Sequence, residues 1–171
     1  MPVTRTARLG VTARLVVTMG LAGALATGCG NPGSECGVSE ALVTRIVDGD
    51  TIELEGGEKI RYLMINTPET TSGKNECYGS NAVQFNTDLV LGKTVTLDYD
   101  TECTDRFSRT LAYVSVGGQE VNTLMIERGY ACLLHIAPNG DDRLAEFKGL
   151  EDAAQAANRG LWGACDPIPC N

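Results

Sequence analysis

Val47-Asp48-Gly49-Asp50-Thr51 separates two apolar, β-branched runs, Val43 to Val47 and Thr51 to Leu54. Asp-Gly is a hairpin signal, because glycine takes the positive φ of a tight turn and aspartate bonds the turn's own backbone. Working outward, Ile52 and Leu54 alternate with polar neighbours, and Ile60 to Ile65 follow Gly56-Gly57, so these segments read as paired strands. Val95-Leu97-Tyr99 and Leu111 to Val116, before Gly117-Gly118, read the same way. Helical spacing places Ala82, Phe85 and Leu89 on one face closed by Gly92, and Asn122 to Glu127 form a second helix capped by Gly129. In the last helix Leu144, Phe147, Leu150, Ala154 and Ala157 share a face, with Gly160 as the stop. Short strands mixed with three helices make the chain α+β. With 171 residues, 43% of them hydrophobic, it can build one ordinary core.

The hairpin is followed within twenty residues by Arg61 and by Asn66-Thr67-Pro68-Glu69, and later by Asp105-Arg106-Phe107-Ser108-Arg109. Acids, arginines and a carbonyl-rich turn are what a cation-assisted attack on a phosphodiester requires. The anionic phosphate repels hydroxide, so catalysis needs a metal or arginines to neutralise it and a carboxylate to take the water's proton.

These segments, in this order, resemble the staphylococcal nuclease or thermonuclease family, over about Leu42 to Gly163. Members carry a D-G-D-T turn, an arginine on the next long strand, a (D/N)-T-P-E segment and a D-(K/R)-(Y/F)-x-R loop. Tyr78-Gly79, Leu111-Ala112-Tyr113-Val114 and Gly160-Leu161-Trp162 are supporting matches. The resemblance implies a five-stranded OB-type β-barrel with three packed helices, a fold suited to nucleic acid at its strand face and loops. It implies calcium ligands at Asp50, at the Thr67 carbonyl and at Asn66, which stands where many relatives place a second aspartate. Glu69 would position or deprotonate the attacking water, and Arg61 and Arg109 would clamp the phosphate. Arg106, Phe107 and His135 are the expected substrate contacts. The implied substrates are DNA and RNA, with the phosphate left on the 3′ end. Calcium accepts six to eight oxygens in a forgiving geometry, so one aspartate, an amide oxygen, a carbonyl and waters suffice for a weak site.

Plainer readings stand beside these. Asp48-Gly49-Asp50 alone is a tight turn, Glu69 a solvated loop acid, Arg61 a barrel-rim side chain, and Arg109 a surface partner of Asp105. His135, the only histidine, falls in the apolar run Cys132 to Ile136 and reads as the one polar position of a strand. Trp162 reads as a packing anchor, whereas Phe107 flanks Arg109 where a base could stack.

The N-terminus reads as a lipoprotein leader over residues 1–28: Arg5, Arg8 and Arg14 precede any acid, Leu15 to Ala26 are apolar, and Leu25-Ala26-Thr27-Gly28-Cys29 resembles a bacterial lipobox. Cys29 would carry the lipid, residues 29–40 would form a tether, and 41–171 the nuclease-like domain. An uncleaved anchor or an ordinary secretory signal is the alternative. The expected product is a monomer on a bacterial envelope, membrane-anchored or secreted. Six cysteines remain, Cys36, Cys77, Cys103, Cys132, Cys165 and Cys170, an even set that suggests three disulfides in an exported chain. Fifteen pairings are possible; the family fold suggests Cys77 with Cys165.

Loss of the leader removes three arginines and no acid, so the mature chain has 11 basic and 22 acidic side chains, net −11. Such a chain lacks the broad basic surface of a high-affinity nucleic-acid-binding module, whereas an enzyme needs only a local positive cleft. A silent OB-type binding lipoprotein is the competing reading, yet Arg61, Glu69 and Arg109 are all retained. A stapled adhesion lipoprotein has no use for that set.

Overall fold

The computed structural model describes residues 1–2, 36–71 and 73–170. Cys29 and nearly all of the leader lie outside the described residues, as do residues 30–35 of the tether. The elements, in order, are β1 (Glu40–Asp48), β2 (Thr51–Leu54), β3 (Lys59–Tyr62), β4 (Ile65–Asn66), α1 (Gly79–Val90), β5 (Thr94–Asp98), β6 (Thr110–Val116), β7 (Gln119–Glu120), α2 (Val121–Glu127), β8 (Cys132–Leu133), α3 (Leu144–Ala156) and a single turn, α4 (Leu161–Ala164).

Five strands form a closed barrel. The order β3-β2-β1-β5-β6 is antiparallel throughout, and a parallel pairing of β3 with β6, Ile60 opposite Thr110 through Tyr62 opposite Ala112, closes the cylinder. Closure removes the unpaired strand edges of an open sheet. Register shifts between Val43 and Arg45 and between Ile46 and Asp48 bend β1, so that it pairs with β5 at its start and β2 at its end. The interior holds Val43, Ile52, Leu54, Ile60, Tyr62, Val95, Leu97, Ala112 and Val114. This is the OB-type α+β barrel with three packed helices that the resemblance implied.

Two helices differ in detail from their periodicity. In α1 the fully buried residues after Gly79 are Ala82, Asn86 and Val90, while Phe85 and Leu89 are half-buried. The helix is turned because the buried Tyr62 hydroxyl needs an acceptor, which Asn86 Oδ1 supplies at 2.9 Å. In α3, Phe147 and Ala154 are buried, but Ala157 lies beyond the last turn and is exposed. α2 is fixed by Asn122, which accepts from the Val114 amide at 2.9 Å and donates to the Leu63 carbonyl at 2.9 Å. Gly129 and Gly160 bring the ends of α2 and α3 into backbone contact: a Cβ on either would collide with the other segment, and Leu161 N donates to Gly129 O at 2.8 Å.

Disulfides join Cys36 to Cys103, Cys77 to Cys165 and Cys132 to Cys170. Trp162 packs beside the latter two with Tyr78 and Ile168. The strand expected over Cys132 to Ile136 is shorter: only Cys132–Leu133 pairs, with Ile65–Asn66, and the chain then leaves the sheet.

Candidate active site

The β1–β2 turn begins the site. Asp50 N donates to Asp48 Oδ1 at 3.1 Å, closing an Asx turn. Gly49 is required by close approach rather than by its φ, because a Cβ there would lie 2.7 to 2.9 Å from the Thr67 side chain. That contact seats the loop after β4 on the hairpin. Asp50 Oδ2 then accepts from the Thr67 amide at 2.8 Å and the Thr67 hydroxyl at 3.1 Å, while Oδ1 accepts from the Thr51 hydroxyl at 3.2 Å.

Register delivers the first arginine. Arg61 sits opposite Thr51 across the β2–β3 pair, so its side chain reaches the turn. Its Nη2 lies 3.1 Å from Asp50 Oδ2 and 3.3 Å from Asn66 Oδ1, and Nη1 donates to the Tyr62 carbonyl at 2.6 Å. Asp50 and Arg61 are 5% and 7% exposed, so this ion pair is buried rather than a rim feature. Asp48 stands beside it with its carboxyl pushed up to about 7, first by burial and then by the charge of Asp50.

The second arginine comes from the loop before β6. Asp105 Oδ1 accepts from the amides of Phe107 and Arg109, at 2.9 and 3.0 Å, and Oδ2 accepts from Arg109 Nε at 2.7 Å and faces Nη2 at 2.6 Å. Burial opposes ionisation of Asp105, but these bonds outweigh it and hold the carboxyl below its usual range. Pairing with Asp105 and facing the cleft are compatible for Arg109, since its Nη1 is not engaged by Asp105. Phe107 is 65% exposed, with the Arg106 and Arg109 guanidinium carbons 4.8 and 5.5 Å from its ring centre.

Glu69 is anchored by its own loop. Its amide donates to Glu76 Oε2 at 2.7 Å, and its Oε1 accepts from the Thr71 amide at 2.7 Å and hydroxyl at 2.5 Å. The Thr71 hydroxyl is the main reason the Glu69 carboxyl lies below its usual range. Both bonds use Oε1, so Oε2 remains available to a water.

A cleft of about 630 Å³ is lined by Asp50, Arg61, Asn66, Thr67, Glu69, Arg106, Phe107 and Arg109. Every expected catalytic, metal and substrate position except His135 borders this one space. His135 Nε2 instead lies 2.8 Å from Asp141 Oδ1, while Leu134 and Ile136 on either side face the cleft. Neighbours in an extended segment point to opposite sides, which separates His135 from the site. Asp48 lines the cleft too. In the sequence Asp48 reads only as a turn residue; the doubled acid of D-G-D is the signal that points to a place in the site. Leu134 and Ile136 carried no signal beyond alternation.

The oxygen donors, two carboxylates with an amide and a carbonyl, are hard ligands that fit calcium. Among the described residues no group of three or more His, Cys, Asp or Glu is poised for a metal, so a cation here depends on neutral oxygens and water.

The chain is similar to known proteins over most of its length. A family model described as "Staphylococcal nuclease homologue" matches residues 59–164. The chain is 36% identical over 138 residues to an "Uncharacterized endonuclease" of Escherichia coli O157:H7, covering 78% of this chain and 84% of that protein. It is 32% identical over 126 residues to the "Thermonuclease" of Staphylococcus intermedius, covering 71% and 74%. It is 32% identical over 130 residues to the "SPbeta prophage-derived endonuclease YokF" of Bacillus subtilis, of which it spans 44%. With the closed barrel and a cleft that gathers acids and arginines from four separate segments, these matches establish that the chain belongs to the staphylococcal nuclease family.

Proposed function

We propose that this protein is a calcium-dependent nuclease that hydrolyses phosphodiester bonds of DNA and RNA and leaves 3′-phosphates. The observation that carries this reading is the one cleft that Arg61, Arg109 and Glu69 line together with Asp50. Arg61 and Arg109 bind the scissile phosphate from two sides and stabilise the charge that grows on its oxygens. Glu69, held ionised by Thr71, orients a water through Oε2 and accepts its proton. The water oxygen bonds to phosphorus, the P–O5′ bond breaks, and the 5′ oxygen leaves as a hydroxyl after taking a proton from solvent.

Asp50, the Asn66 amide oxygen and the Thr67 carbonyl would hold calcium, with Asp48 beside them. When bound, the ion supplies Lewis-acid polarisation and neutralises phosphate charge. Since Arg61 already pairs with Asp50, the same carboxylate serves both cations. In addition, the basic leader and the lipobox of the sequence support export and acylation at Cys29, as for a monomer anchored to the cell envelope or secreted.

The test is hydrolysis of DNA and RNA by the oxidised mature protein, with calcium and then with a chelator. Activity should need calcium and leave 3′-phosphate ends. Glu69→Gln and Arg109→Ala should each lower the rate by about 100-fold or more. Undiminished rates in the variants, or activity that survives chelation, would overturn the assignment.

A further inference from the structure

A second groove lies between the helices. Tyr78, Phe85, Leu89, Arg128, Tyr130 and Arg159 border a cavity of about 640 Å³. Phe85 and Tyr130 are stacked with ring centres 4.1 Å apart and planes 8° apart, and Tyr78 is tilted against Tyr130 at 5.5 Å. All three rings are half-buried and so present surface to solvent. The chain has nine aromatic residues, so a third of them sit here, outside the barrel interior.

The distribution of positive charge points the same way. Arg45, Arg61, Lys74, Arg109, Arg143 and Lys148 each have a carboxylate partner. Among the described residues neither Arg128 nor Arg159 has one, although Arg159 Nη1 donates to the Glu127 carbonyl at 3.1 Å. Lys59, Lys93 and Arg106 also lack one, but of these five cations Arg128 and Arg159 are the two that border one aromatic groove. Arg128 follows α2 directly, and Arg159 lies beside the Gly129–Gly160 contact, so the backbone sets their spacing.

We propose that this groove is a second binding site for a single-stranded nucleic acid, with bases stacked on the Tyr78, Phe85 and Tyr130 cluster and phosphates paired to Arg128 and Arg159. Exposed aromatic surface beside arginines is the chemistry by which single strands are held without sequence preference. The site is continuous with the catalytic loop: Glu76, which holds the Glu69 amide, lies two residues before Tyr78. The loop that carries Glu69 thus leads along the chain to Tyr78 at the groove. The inference rests on the nuclease reading and adds a grip beyond the scissile phosphate, which an acidic enzyme needs.

The experiment compares hydrolysis of a dinucleotide and of a long oligothymidylate by wild type, the double variant Arg128→Gln/Arg159→Gln, Tyr130→Leu, and Lys148→Gln as a surface-charge comparison. The double variant should raise KM for the long substrate about tenfold, with kcat and dinucleotide hydrolysis unchanged. Fluorescence anisotropy of the labelled oligonucleotide should show weaker binding, with the slope of log affinity against log salt shallower by about 1.4. Tyr130→Leu should weaken the long strand without changing that slope. Unchanged KM and binding, an equal loss in Lys148→Gln, or an equal loss on the dinucleotide would overturn the groove. An enzyme inactive on both substrates would instead remove the nuclease reading, and anisotropy would still decide the groove.

Discussion

Replacing Arg61 by alanine should damage the fold as well as catalysis, because the side chain is buried against Asp50 before any substrate arrives. At 3.1 Å and an effective dielectric of about 20, the gross attraction is about 5 kcal/mol, most of it offset by desolvation of the two ions. Deletion is a different matter, since it leaves the Asp50 carboxylate buried next to Asp48 with only Thr67 and Thr51 donors. Breaking a buried pair in this way costs about 3 kcal/mol, which corresponds to about 10 °C in Tm for a domain of this size. At pH 5 the loss should be smaller, because the Asp48 carboxyl is neutral there and the stranded Asp50 has no ionised neighbour. Calcium at about a hundred times its dissociation constant should return about 2.7 kcal/mol. Urea denaturation of wild type and Arg61→Ala at pH 5 and pH 8, with chelator and then calcium, measures all three effects. Activity should stay at least about 100-fold low even where calcium restores stability, since the phosphate clamp is gone. Equal stability of the two proteins at both pH values would refute the reasoning, and would mean that the Arg61–Asp50 contact contributes nothing to the fold.

Other outcomes follow from the same cleft and from the leader. Asn66→Asp should tighten calcium binding about tenfold by calorimetry, a net gain of on the order of 1 to 2 kcal/mol after carboxylate desolvation and repulsion from Asp50; unchanged affinity there and in Asp50→Ala would place the ion elsewhere. The Asp48 carboxyl titrates higher in the folded protein than in the unfolded chain, so its stabilisation is complete below the ordinary range near 3.8 and is lost as pH rises through about 7. Calcium-free protein should therefore lose about 2 to 3 kcal/mol between pH 5 and pH 8, and Asp48→Asn should flatten that profile in urea titrations. Mass spectrometry of the exported protein should find acyl chains on Cys29 and no free thiol among the other six cysteines, with Cys29→Ser leaving the precursor unprocessed.

Much of this protein is legible in one dimension because its signals are local. Asp-Gly at residues 48–49 dictates a hairpin, alternating apolar residues dictate strands, and four short motifs in fixed order carry the family and with it the barrel. The cleft set Asp50, Arg61, Asn66, Thr67, Glu69 and Arg109 could be named because each falls within one of those motifs. What stayed hidden depends on contacts between segments far apart in the chain. Three disulfides span 67, 88 and 38 residues, and cysteine count alone leaves fifteen pairings open. Residue type says nothing of whether Arg61 is a rim cation or a buried partner of Asp50; the β2–β3 register and the seating of Thr67 on Gly49 decide it. Periodicity gives α1 an inner face but not its rotation, which the Tyr62–Asn86 hydrogen bond sets, leaving Phe85 to stack on Tyr130. His135 is set apart from the cleft because the sheet ends at Leu133, so an extended tail turns Leu134 and Ile136 inward and His135 toward Asp141. Sequence determines which groups are present and the local shape of each segment; only the closed barrel determines which of them share a cavity, because proximity across the barrel is a property of register and packing.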